Sequence, residues 1–141
     1  MIRLIIVDDH ALARSRLRAL LGRVDDIEII GEAQDGQEAV DLTEKLAPDV
    51  VLMDIRMPNV NGLAATKRIC SRAAHSRVLI VAMSWDSPIV RQAMDNGASG
   101  YVAKHEAPTE LIHAIRAVYK GDKYISPFIS DMLARDGVLD A

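Results

Sequence analysis

Chemically capable side chains stand directly after short apolar runs in this chain of 141 residues. LIIV (Leu4 to Val7) is followed at once by Asp8 and Asp9, VVLM (Val50 to Met53) by Asp54, VLIVAM (Val78 to Met83) by Ser84, and YVA (Tyr101 to Ala103) by Lys104. If these runs are parallel strands of one sheet, all five side chains meet at the same rim. Three carboxylates that close raise one another's pKa unless a cation joins them. Oxygen ligands without a His or Cys pair at ligand spacing suit a hard ion, and Mg2+ takes one or two carboxylates, waters and a phosphate oxygen. Asp8 and Asp9 are therefore candidate metal ligands. A carboxylate beside such a pocket points to phosphoryl transfer through an aspartyl phosphate. Asp54 is the candidate nucleophile because it stands alone on the central run, leaving Asp8 and Asp9 to share the ion. Lys104 supplies a point charge to one phosphoryl oxygen, and the Ser84 hydroxyl donates to another.

The elements that must position these groups are legible as alternating patterns. A fifth apolar run, IEII (Ile27 to Ile30), completes five short strands, several rich in β-branched residues as strands covered on both faces are. Helical stripes lie between them: Ala13, Leu17, Leu20, Leu21 and Val24; Ala39, Val40, Thr43, Leu46 and Ala47; Leu111, Ile112, Ile115, Val118 and Tyr119. Further helices are expected after Asn61 and after Ser87, where Ser87-Pro88 reads as N-cap and N1. Gly22, Gly97 and Gly121 read as stops. Strand then helix, five times over, predicts an α/β fold: an open five-stranded parallel sheet, order 2-1-3-4-5, with helices on both faces. After Gly121, Phe128, Ile129, Met132 and Leu133 fall on one side of a short helix begun at Pro127. The expected organisation is residues 1–121 as one domain and 122–141 as a linker or short appended helix.

Composition excludes several function classes. Half of the residues are hydrophobic and only 4% aromatic, so the core is aliphatic. The net charge is −3, with Lys and Arg dispersed, which leaves no footprint for gripping a phosphate backbone; DNA binding is expected only through a domain outside this chain. Cys70 is solitary, which excludes a disulfide framework. MIRLIIVDDH meets acids too early for a signal peptide, and no apolar run approaches the ~20 residues of a membrane helix. A cytoplasmic location without membrane contact is expected. His10, His75, His105 and His113 show no metal-ligand spacing.

VDDH, MDIRMP around Asp54, Met83-Ser84, and GYVAK ending in Lys104 together resemble the receiver domain of bacterial two-component response regulators. The intervals from Asp9 to Asp54, Ser84 and Lys104 are 45, 30 and 20 residues in turn. GDKYISP after the last helix resembles the linker of the NarL/FixJ (LuxR-type) subgroup, whose members usually continue into a helix-turn-helix domain, absent here. The resemblance implies a flavodoxin-like receiver fold and a phosphorylation-dependent switch: a sensor histidine kinase as partner, phosphorylation on Asp54, and Mg2+ (or Mn2+) held by Asp9, Asp54 and the backbone carbonyl of Arg56. Asp8 would act largely through water. Ser84 and Tyr101 would be the coupled switch pair, the ring turning inward as the hydroxyl moves toward the phosphoryl group. No enzymatic turnover is expected beyond self-phosphorylation and slow self-dephosphorylation. The output would be transcription through a domain outside this chain, with a homodimer through the terminal helix or the fourth and fifth units. The competing readings are a stand-alone receiver acting on a protein partner and an aspartate-nucleophile phosphatase, whose DxDx[TV] motif the adjacent acids Asp8 and Asp9 do not match. The pattern departs from the family at Asn59 and Asn61, at Trp85, and at His105, where many receivers carry a proline.

Overall fold

The computed structural model describes residues 1–137. Residues 138–141 of the expected terminal segment lie outside the described residues. Six parallel strands run β1 (Ile2–Val7), β2 (Ile27–Ala33), β3 (Val50–Met53), β4 (Arg77–Ala82), β5 (Gly100–Ala103) and β6 (Tyr124–Ile125), in the spatial order β2-β1-β3-β4-β5-β6. The expected order is present, and the expected count of five is corrected to six. The extra strand is held by the edge of β5: Tyr124 donates to the Ser99 carbonyl and Ser126 to that of Tyr101, both at 3.0 Å. An unpaired edge offers donors and acceptors in register, so two residues suffice to extend it.

Residues on alternate positions of each strand enter opposite layers, as a period of two requires. Ile5, Val7, Val51, Met53, Val78, Ile80 and Tyr101 pack with α2 (Gly36–Leu46), α3 (Gly62–Arg72), α4 (Ser87–Asp95) and α6 (Pro127–Arg135). Leu4, Ile6, Leu52, Leu79, Val81 and Val102 pack with α1 (Ala11–Leu21) and α5 (Ala107–Tyr119). Both faces are thus covered, which explains the continuous apolar runs. The short helix expected at Pro127 is present as α6, with Ile129 and Leu133 buried and Phe128 and Met132 packed beside them.

Local chemistry moves some boundaries. The N-cap of α4 is Asp86, whose carboxylate accepts the Ile89 N–H at 3.0 Å; Ser87 is already helical. Met83 lies beyond β4 and is exposed. α2 ends on Ala47 in the left-handed region (φ 47°), because Pro48 disfavours right-handed helical backbone in the residue before it. Gly97 and Gly121 do stop helices with positive φ, whereas Gly22 caps α1 with ordinary helical backbone.

Candidate functional site

Register brings the acids together. Val7 pairs with Met53 across β1 and β3, and Asp54 N–H donates to the Val7 carbonyl at 3.0 Å, so Asp8 and Asp54 emerge side by side. Carboxylate oxygens of Asp8, Asp9 and Asp54 and a ring nitrogen of His10 all lie within 4.8 Å of one another. Asp8 and Asp54 are buried, while Asp9 is partly exposed. Lys104, directly after β5, reaches across the ends of β4 and β3: its Nζ is 2.7 Å from Asp8 Oδ2 and 3.8 Å from Asp54 Oδ2. Asp9 does not cap α1, whose N-cap position is His10 with no side-chain bond.

The electrostatics set the acids apart. Asp54 is pushed up to about 6, chiefly by burial and then by the charge of Asp8; Lys104 and the Ile55 N–H, which donates to Asp54 Oδ1 at 2.9 Å, pull the other way. Asp8 is tied down on both oxygens, by Lys104 and by the His10 N–H at 2.9 Å. Asp9 Oδ1 is a buried oxygen with no hydrogen bond among the described residues, although His10 Nδ1 stands 3.1 Å away. An orphaned carboxylate oxygen facing two more carboxylates fits a divalent cation, whose charge would relieve the repulsion. The donor set is hard, with the exposed imidazole of His10 at its margin.

Ser84 is half-buried and its hydroxyl has no protein hydrogen bond among the described residues. Its backbone carbonyl accepts from the Tyr101 hydroxyl, and the Tyr101 ring is fully buried, turned inward beneath the β4 end. Burial holds the Tyr101 phenol well above its usual pKa. Arg56 is exposed in the loop after Asp54 and lines an open polar groove with Met83, Ser84 and Trp85. Asn59 takes positive φ (66°), a conformation that Asn tolerates better than most residues, and Asn61 caps α3 by accepting the Ala64 N–H. The Lys104-His105 bond is not cis.

Sequence reading missed three contributors. His10 joins the acidic cluster through the chain's turn rather than through helical spacing. Arg14, one helical turn on, donates to the Asp8 carbonyl at 2.7 Å and fixes the end of β1. Gly62 permits the loop after Asp54 to fold back: a Cβ there would sit 1.9 Å from the Asp54 carbonyl oxygen. Gly62→Ala is expected to cost about 2 kcal/mol of stability, read as a lower urea midpoint, because backbone rather than a mobile side chain must yield.

Comparison with known proteins agrees with this geometry. Residues 4–116 match the family model of the response regulator receiver domain. The chain is 39% identical over 134 residues to the response regulator UvrY of Escherichia coli (strain K12), covering 95% of this chain and 62% of that protein. It is 37% identical over 134 residues to the response regulator GacA of Pseudomonas viridiflava, covering 95% and 63%. It thus spans less than two-thirds of the length of these relatives. A LuxR-family two-component response regulator from Aurantimonas sp. SI85-9A1 superposes with a TM-score of 0.93 at 36% identity, covering 99% of both chains. On the family model that spans most of its length, the relatives and the superposed LuxR-family structure, the chain belongs to the response regulator receiver family, in its NarL/LuxR-type branch.

Proposed function

We propose that this chain is a phosphorylation-controlled switch in which Asp54 accepts a phosphoryl group from a sensor histidine kinase. An Asp54 oxygen attacks phosphorus, the O–P bond forms as the N–P bond of the phosphohistidine breaks, and the departing imidazole nitrogen takes up a proton. Asp9, Asp54 and the Arg56 carbonyl would hold Mg2+, or Mn2+ in its stead, with Asp8 acting largely through water. The bound cation neutralises charge on the transferred group. Lys104 and the Ser84 hydroxyl then bind phosphoryl oxygens, and the inward Tyr101 ring fills the space behind Ser84. Residues 1–121 form the receiver, the remainder leads toward an output region outside this chain, and the reading carries a cytoplasmic, transcription-controlling role. No turnover beyond self-phosphorylation and slow self-dephosphorylation is assigned.

The observation that carries the proposal is the convergence of three carboxylates with one lysine, at 2.7 Å and 3.8 Å from two of them. Hydrogen bonds to charged groups contribute about 1.5–3 kcal/mol each. Moving a conformational equilibrium from 1:99 to 99:1 takes about 5.5 kcal/mol. Ser84 alone is too weak for that, and Lys104 must share the task. Incubation with a small phosphodonor and Mg2+ is expected to add the mass of one phosphoryl group to the native chain and none to Asp54→Asn. An adduct that survives in Asp54→Asn, or sustained release of phosphate from a phosphomonoester, overturns the reading.

A further inference from the structure

Lys104, His105 and Glu106 form one 3-10 turn, and each faces a different group. Lys104 holds Asp8 and approaches Asp54. The His105 ring stands edge-on to Phe128 at 4.7 Å between centroids and to Trp85 at 5.2 Å, and Trp85 and Phe128 close the triangle at 5.2 Å. Glu106 Oε2 accepts the backbone N–H of Phe128 at 3.1 Å. That bond stands in for a missing cap. Ser126, the N-cap residue of α6, makes no capping bond; its hydroxyl oxygen instead accepts the Ala103 N–H at 3.3 Å. The first turn of α6 is therefore held by the turn that carries Lys104, and by Trp85, the immediate neighbour of Ser84.

The far end of α6 is pinned to α4, where the Ser87 hydroxyl donates to Asp136 and faces the Met132 sulfur. Between the two ends, Ile129 and Leu133 are buried in the same apolar layer as Tyr101. A helix of nine residues does not persist alone in water, so docking and capping decide whether it stays folded. Both groups assigned to phosphoryl binding are thus one residue away from the aromatic triangle that seats it.

We propose that α6 is a clasp released by the phosphoacceptor site: when Lys104 and Ser84 are drawn toward a phosphoryl group on Asp54, His105, Glu106 and Trp85 withdraw from the first turn of α6 and the helix leaves the sheet. This rests on the reading of Asp54 as the phosphoacceptor. Release uncovers the apolar surface under Ile129 and Leu133 and frees whatever follows α6. Coupling of this kind is reciprocal, so loosening α6 must also favour the phosphorylated geometry.

Hydrogen exchange of the 141-residue chain, with intact mass measured in parallel, tests the clasp. In Mg2+ and a small phosphodonor, amides of residues 127–135 are expected to exchange roughly tenfold faster once the adduct forms, with α2 unchanged. Glu106→Ala and Phe128→Ala, which leave the phosphoryl-binding groups intact, are expected to show fast exchange in α6 before any donor is added. Phe128→Ala is also expected to reach half-saturation at lower beryllofluoride. A full adduct with α6 exchange unchanged or slowed overturns the clasp and leaves the phosphoacceptor reading standing. Absence of the adduct overturns both, and an unaltered beryllofluoride affinity in Phe128→Ala overturns the coupling.

Discussion

Asp54→Asn is expected to stabilise the metal-free protein by about 2–3 kcal/mol at pH 8 and by almost nothing at about pH 3. The Asp54 carboxyl is raised from 3.8 to about 6, first by burial and then by the Asp8 charge. The folded chain therefore holds this proton more tightly than the unfolded chain. Well below 3.8 both states are protonated and the site costs nothing. Between pH 4 and 6 the unfolded chain ionises first, so stability falls; above pH 6 the loss is complete. Asn cannot ionise, yet its carbonyl oxygen can still accept the Ile55 N–H. Urea midpoints in chelator across this range should diverge as pH rises, and parallel curves would refute the argument. Saturating Mg2+ should narrow the gap at pH 8, because a cation that binds only the folded native chain stabilises it by mass action. The Asp54 carboxylate is thus one whose charge the fold alone tolerates poorly, as expected of groups kept for chemistry.

The strands and most of the site were readable because each group follows its strand directly. Once VVLM is taken as the neighbour of LIIV, the period of the sheet leaves Asp8 and Asp54 nowhere else to go. What escaped depends on contacts distant in sequence. β6 is only Tyr124 and Ile125, too short for alternation to register, and it exists because β5 offers an edge. Asp86 and Ser87 are both good capping residues before Pro88, and only geometry chooses between them. The constraint on Gly62 is a clash with a carbonyl eight positions earlier. Trp85, His105 and Phe128 come from a loop, a 3-10 turn and a helix far apart in sequence, and nothing in their spacing announces a triangle. Glu106 serves a helix that begins 21 residues later, a role no local capping pattern reveals.

Lys104→Met is expected to cost the metal-free protein about 3–5 kcal/mol, the loss typical when one member of a buried ion pair is removed. The Asp8 side chain is only 2% exposed, and its Oδ2 relies on Lys104 Nζ at 2.7 Å. Without the ammonium, that carboxylate stays buried with the His10 N–H as its remaining hydrogen bond, facing Asp54 with no cation between them. Asp54 would also lose the neighbour that draws its pKa down, and should rise further. Two outcomes separate this from a mere loss of packing. Adding Asp8→Asn to Lys104→Met should restore most of the lost stability in chelator, since the stranded charge is gone, and a double-mutant cycle would read the coupling. Mg2+ should stabilise Lys104→Met more than the native chain, because the cation then replaces the ammonium lost from beside Asp8. A loss below about 1 kcal/mol would reclassify the pair as a solvent-screened contact. In that case Lys104 would be too weakly held by Asp8 for its transfer to a phosphoryl group to move anything beyond itself.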